Sequence, residues 1–156
     1  MRTILVVEDY DDVRQMLRIL LESEEFRVVE AASGAQALDV LKRERPDAIL
    51  MDLALPGFDG LEAIRRIRAI DRFRNTPIVV LTAYTGPSTY ETAIRAGSDY
   101  FMAKPIDFDE LAALLNEVLF SANRKNSKFN RASNQRAMLA EKRVPPRPAR
   151  ELRYSV

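Results

Sequence analysis

The chain has 156 residues, 47% of them apolar, with 24 Lys+Arg against 23 Asp+Glu, which suits one compact domain plus a short extension. It contains no Cys and no His. That excludes zinc sites of the usual ligand types, thiol nucleophiles, disulfides, Ser-His-Asp triads and a phosphohistidine on this chain, and leaves chemistry to carboxylates, hydroxyls, Lys/Arg, backbone groups and a borrowed ion.

The first apolar run, residues 3–7, has strand length. It is too short for the hydrophobic region of a signal peptide and far too short to span a membrane, so a cytoplasmic protein with no membrane association is expected. The run ends at Glu8 and Asp9. Asp11 and Asp12 follow, read as first-turn residues favoured by the dipole of a helix whose Val13, Met16, Leu17 and Leu20 share one face. Residues 27–30 give a second strand, and Ser33 with Gln36 forms a capping box before Ala37 and Leu38. A third apolar run, 48–51, stops at Asp52. Asp59 caps a helix carrying Leu61, Ile64 and Ile67. The fourth run, 78–81, ends at Thr82, and a helix over 88–96 is closed by Gly97 in a left-handed conformation. A fifth strand, 100–103, leads to Lys104 and Pro105. Asp107 with Glu110 then opens a last helix with Leu111, Leu114, Leu115, Val118 and Leu119 on one side.

Beyond Phe120 the composition changes. Residues 1–120 carry 14 Lys+Arg against 21 Asp+Glu, a balance of −7, whereas residues 121–156 carry 10 against 2, a balance of +8. The division expected is a folded unit over 1–121 and a flexible basic tail over 122–156, with Pro145, Pro146 and Pro148 and a transient helix near 132–142.

Five strand–helix units in succession imply an α/β fold, a doubly wound five-stranded parallel sheet with helices on both faces. Four of the five strands are near-continuously apolar, as burial on both faces requires. In such folds a site sits beyond the carboxyl ends of the strands, at the switch point in their order. If that order is 2-1-3-4-5, Asp9 and Asp52 converge there. Carboxylates brought together repel one another unless a cation compensates, and a hard divalent ion such as Mg2+ suits oxygen ligands in a chain without His or Cys. With Thr82 as hydroxyl donor and Lys104 as ammonium, the set is complete for accepting a phosphoryl group on an aspartate.

The segments ILVVEDY, ILMDLALPGFDG, VVLTA and DYFMAKP, in this order and each at a strand end, resemble the receiver domain of two-component response regulators, chemotaxis-regulator-like and of flavodoxin-like topology. The resemblance implies that Asp52 is the phosphoacceptor, that Asp9 binds Mg2+ directly, and that Glu8 acts through a water. It further implies that the Ala54 backbone carbonyl is a metal ligand, that Thr82 and Lys104 meet phosphoryl oxygens, and that the Lys104–Pro105 peptide is cis. Thr82 and Phe101 would form the switch, Phe101 turning inward as Thr82 is drawn to the phosphoryl group.

Expected partners are a sensor histidine kinase or phosphotransfer protein as donor and a downstream protein on the face of the fourth helix, fifth strand and fifth helix. Because 36 residues cannot build an effector core, a stand-alone receiver is expected. No enzymatic activity is expected beyond its own phosphorylation and dephosphorylation. Ala54 offers no side-chain group to orient water and Tyr84 is bulky, so slow self-hydrolysis is expected. The main rival is a receiver-gated nucleic-acid-binding protein acting through the basic tail, whose only aromatics are Phe129 and Tyr154. A phosphatase is disfavoured by Ala54 two residues after Asp52, and dinucleotide binding by the lack of a Gly-rich turn after the first strand.

Overall fold

A computed structural model of the chain describes residues 1–124. The five apolar runs form strands β1 (Thr3–Val7), β2 (Arg27–Ala31), β3 (Ala48–Asp52), β4 (Ile78–Thr82) and β5 (Tyr100–Ala103), alternating with helices α1 (Asp11–Ser23), α2 (Gly34–Val40), α3 (Gly60–Ala69), α4 (Pro87–Ala96) and α5 (Phe108–Arg124). A single 3-10 turn, Asp71–Phe73, follows α3. The strands pair in the order β2-β1-β3-β4-β5, all parallel, as the alternation of elements predicts.

Side chains of successive strand residues point to opposite faces, so each strand feeds two cores. Leu5, Val7, Ile49, Met51, Ile78, Val80 and Phe101 pack with α2, α3 and α4 residues such as Ala37, Ile64, Ile67 and Ala93. Ile4, Val6, Leu50, Val79, Leu81 and Tyr100 pack with α1 and α5 through Leu17, Leu21, Leu111 and Leu115. β1, β3 and β4 are buried along their whole length, while β2, at one edge of the sheet, is largely half-exposed, which fits its mixed sequence.

The helix starts are made as their caps suggest. Ser33 accepts the Gln36 N–H, Asp59 the Glu62 N–H and Asp107 the Glu110 N–H. Gly97 has φ +117, and a Cβ there would also lie 2.7 Å from Arg68 Cγ, so conformation and space both demand glycine. Arg68 itself ties together four stretches of chain. It donates to the carbonyls of Gly97 (2.9 Å), Phe73 (2.8 Å) and Thr76 (2.7 Å) and to Asp99 Oδ2 (2.7 Å), which also accepts the Ile78 N–H.

The face expected for α1 is corrected. Leu17 and Leu21 are buried and Val13 half-buried, while Met16 is 41% exposed. Residues four apart drift by only about 40° around a helix, so the 13/17/21 row makes a narrow stripe that leaves Met16 to one side. α5 runs to Arg124, so the expected boundary after residue 121 falls within its last turn. Most of the proposed tail, with its helix near 132–142, lies outside the described residues. Among the described residues, no helix is long and apolar enough to cross a membrane.

Candidate functional site

The register of the sheet places the site. Val7 pairs with Met51, so Glu8 and Asp52, the next residue on each strand, come out side by side at the carboxyl edge. Asp52 pairs in turn with Leu81, and Thr82 with Ala103, which brings Thr82 and Lys104 to the same end. The four segments that carry the sequence signature thus meet through strand order alone.

One carboxylate oxygen from each of Glu8, Asp9 and Asp52 lies within 4.8 Å of the other two. Glu8 and Asp52 are nearly inaccessible, at 2% and 4% exposure. The Lys104 ammonium stands between them, 2.7 Å from Glu8 Oε2 and 2.9 Å from Asp52 Oδ2. Main chain completes the arrangement: the Tyr10 N–H donates to Glu8 Oε1 and the Ala54 N–H to Asp52 Oδ1. Burial pushes the Glu8 carboxyl above the usual carboxylate range, an effect opposed by its bonds to Lys104 and to the Tyr10 N–H. Burial alone would lower the Lys104 pKa. Its hydrogen bonds to Glu8 and Asp52 outweigh that and raise it, so the ammonium stays charged.

Three carboxylates against one ammonium leave about two negative charges uncompensated in a poorly hydrated corner. Asp9 Oδ1 is buried and has no hydrogen-bond partner among the described residues. An orphaned acceptor beside two further carboxylates is what a hard divalent cation requires: an all-oxygen donor set. The residues present therefore fit Mg2+.

Thr82 is fully buried, with Oγ1 accepting the Tyr84 N–H at 3.2 Å and its carbonyl the Lys104 N–H at 2.9 Å. The Lys104–Pro105 peptide is cis. Ala54 lies exposed in the loop after β3, and the Tyr84 ring stands out at 62% exposure. Phe101 is 3% exposed and meets Tyr90 edge-on, ring centroids 5.6 Å apart. The inward position to which the switch was expected to carry Phe101 is thus already filled in this structure. Asp11, Asp12 and Asp59 stand apart from the cluster in the roles expected of them, the first two in the opening turn of α1 and Asp59 as the α3 cap.

Two residues at the site escaped sequence reading. Gly60, the first residue of α3, is pressed against the end of β3. A Cβ there would collide with the Asp52 carbonyl and stand 2.8 Å from Leu53 Cα. Its signal was a glycine directly after the Asp59 cap. Arg14 donates to the Glu8 carbonyl at 2.8 Å, yet in sequence it is one more cation on a solvated helix face. A shallow cavity of about 410 Å3 at the β2–α2 edge, beside Val29 and Val40, includes none of these residues, and the chemistry argues for the carboxylate cluster instead.

Residues 4–116 match the response regulator receiver domain. The chain is 34% identical over 116 residues to sporulation initiation phosphotransferase F of Bacillus subtilis, an alignment covering 74% of this chain and 92% of that protein. It is 36% identical over 127 residues to the transcriptional regulatory protein AfsQ1 of Streptomyces coelicolor, covering 81% of this chain but only 55% of the relative. Among solved structures, the receiver domain of a sensor histidine kinase from Pseudomonas aeruginosa superposes with a TM-score of 0.71 at 38% identity, over 76% of this chain and 97% of that one. That domain holds a magnesium ion coordinated in its active-site cleft.

Proposed function

The chain belongs to the receiver-domain family of two-component response regulators, and on that premise we propose that Asp52 accepts a phosphoryl group and that the resulting change in packing is read by a partner protein or passed on in a phosphorelay. The observation that carries this reading is the convergence of Glu8, Asp9 and Asp52 on one ammonium, with Asp9 Oδ1 left without a partner.

Asp9 and Asp52 would hold Mg2+ through carboxylate oxygens and Ala54 through its backbone carbonyl, with Glu8 acting through a water. When bound, the ion supplies positive charge to the oxygens of the incoming group. Asp52 supplies the nucleophile: one of its oxygens forms the new bond to phosphorus as the bond to the donor's leaving group breaks, and that group keeps the electron pair. Lacking His, this chain takes its phosphoryl group from another molecule, a sensor histidine kinase or phosphotransfer protein. Lys104, already 2.9 Å from Asp52, exchanges its contact with the carboxylate for one with a phosphoryl oxygen. Thr82 donates its hydroxyl to another. Its present bond from the Tyr84 N–H uses only a lone pair, so the proton is free for that role.

Breaking the Thr82–Tyr84 contact would couple the site to the segment leading into α4, and so to the surface of α4, β5 and α5, where a downstream partner would bind. The receiver unit is taken as 1–121. The nucleic-acid reading rests on residues outside those described, and no observation favours it.

Incubation with acetyl phosphate and Mg2+ tests the assignment. The parent chain is expected to incorporate phosphate stoichiometrically and Asp52→Asn at least about 100-fold less, as loss of a covalent nucleophile demands. Equal incorporation by the variant would remove Asp52 from the role. Self-hydrolysis is expected to be slow because Ala54 presents only a methyl group. Polar residues placed at both 54 and 84 should shorten the lifetime, and a lengthened one would refute that reading.

A further inference from the structure

The metal-binding reading concerns the groups that would touch the ion, but the geometry points to a residue behind them. Glu8 lies one residue past the last β1–β3 pair, so no β3 partner fixes its main chain. Its N–H is taken by the Ala31 carbonyl on β2 at 3.0 Å. Its carbonyl is taken by Arg14 Nη1 at 2.8 Å. That carbonyl belongs to the peptide joining Glu8 to Asp9, whose orientation sets the direction in which both side chains leave the backbone.

The rest of the Arg14 guanidinium is anchored as well. Nη2 pairs with Asp11 in the first turn of α1, and Nε lies 3.3 Å from Glu30 Oε1 on β2. Glu30 is held in turn by Arg18 at 3.1 Å. The Arg14 side chain is only 17% exposed. One planar fork therefore locks the end of β1 to α1 and β2 at the place where the acidic pair emerges.

We propose that Arg14 is the positioning residue of the metal site, fixing the Glu8–Asp9 peptide so that the two carboxylates stay aimed at the cation. The proposal rests on the reading of Glu8, Asp9 and Asp52 as a Mg2+ site. It has an unusual sign. A cation close to a metal site repels the metal, so if Arg14 acted through charge alone, removing it would tighten Mg2+ binding. If it acts by orientation, removing it weakens binding although a positive charge has gone. Groups that orient metal ligands typically matter by 10–100-fold in affinity.

The test is calorimetric titration of MgCl2 into the full chain, comparing the parent with Arg14→Gln, Arg14→Lys and Arg18→Gln. Melting temperatures in EDTA report on the fold separately. Arg18→Gln removes a Glu30 partner without touching Glu8 and should bind like the parent. Arg14→Gln should bind about 10-fold more weakly. Arg14→Lys, which keeps the charge and loses the fork, should also weaken, and it decides the matter if Arg14→Gln does not fold. Unchanged or tighter binding in the folded Arg14 variants would overturn the positioning role and leave the Mg2+ site standing. A parent chain that takes up no Mg2+ would overturn both.

Discussion

The loops that follow β3 and β4 stand side by side at the same edge of the sheet and are built in opposite ways. The β3–α3 loop is cross-braced: the Leu53 carbonyl accepts N–H groups from Leu55 and Gly60, Ala54 donates to Asp52, and Asp59 caps the helix. Gly60 sits against the Asp52 backbone with no space left for a methyl group. In the β4–α4 loop and the first two residues of α4 every residue from Ala83 to Ser88 is exposed, and α4 follows its N-cap Gly86 without a side-chain cap. Its link to the site is the bond from the Tyr84 N–H to Thr82. A loop with few buried contacts opens at little cost, whereas one braced from several sides does not. The residue proposed to accept phosphate is thus held rigidly, and the hydroxyl proposed to sense it adjoins the part most able to respond.

The same substitution made where each loop enters its helix is the sharpest way to break this contrast. Gly60→Ala forces a methyl group into the Asp52 carbonyl and should destabilise the fold by about 1–3 kcal/mol in urea unfolding, with a parallel fall in phosphate uptake. Gly86→Ala, where φ is −67° and the nearest side-chain atoms are 3.9 Å away, sits at the other end of the scale. A weaker cap and a less flexible unfolded chain nearly cancel there, leaving a change within about 0.5 kcal/mol. Equal costs at the two positions would dissolve the distinction.

Between these limits lies the effect of the metal. At ten times its dissociation constant, Mg2+ should stabilise the parent chain by about 1.4 kcal/mol, seen as a rise in melting temperature. Asp9→Asn should show no such rise. It should also be more stable than the parent in EDTA, because one of three crowded carboxylates has been neutralised. A variant that still gains stability with Mg2+ would move the ligand role away from Asp9.

The site was legible in the sequence because its logic is local: an apolar run that ends abruptly in a carboxylate, hydroxyl or ammonium announces a buried strand with chemistry at its tip. Asp52, Thr82 and Lys104 could all be read that way, and strand order did the rest. Arg14 could not, since its importance lies in what comes close through folding and it breaks no local pattern, and Gly60 left only the weak signal of a glycine after the Asp59 cap. Met16 was misplaced for a related reason. Periodicity names the residues that share a helix face, while packing against the sheet selects which row, here Leu17 and Leu21, faces inward. The inward Phe101 is a packing fact, set by Tyr90 on a neighbouring helix, and no strand pattern encodes it.

The Arg68 clamp has a mechanical corollary. It fastens the far end of α4, through Gly97, to the end of α3 and the starts of β4 and β5, while the near end follows Gly86 without a side-chain cap. A ten-residue helix is a rod of about 15 Å. If such a rod tilts by about 10° about its more firmly held end, the other end is carried roughly 2.6 Å. Any tilt of α4 about Arg68 would therefore be felt most beside the loop that carries Tyr84.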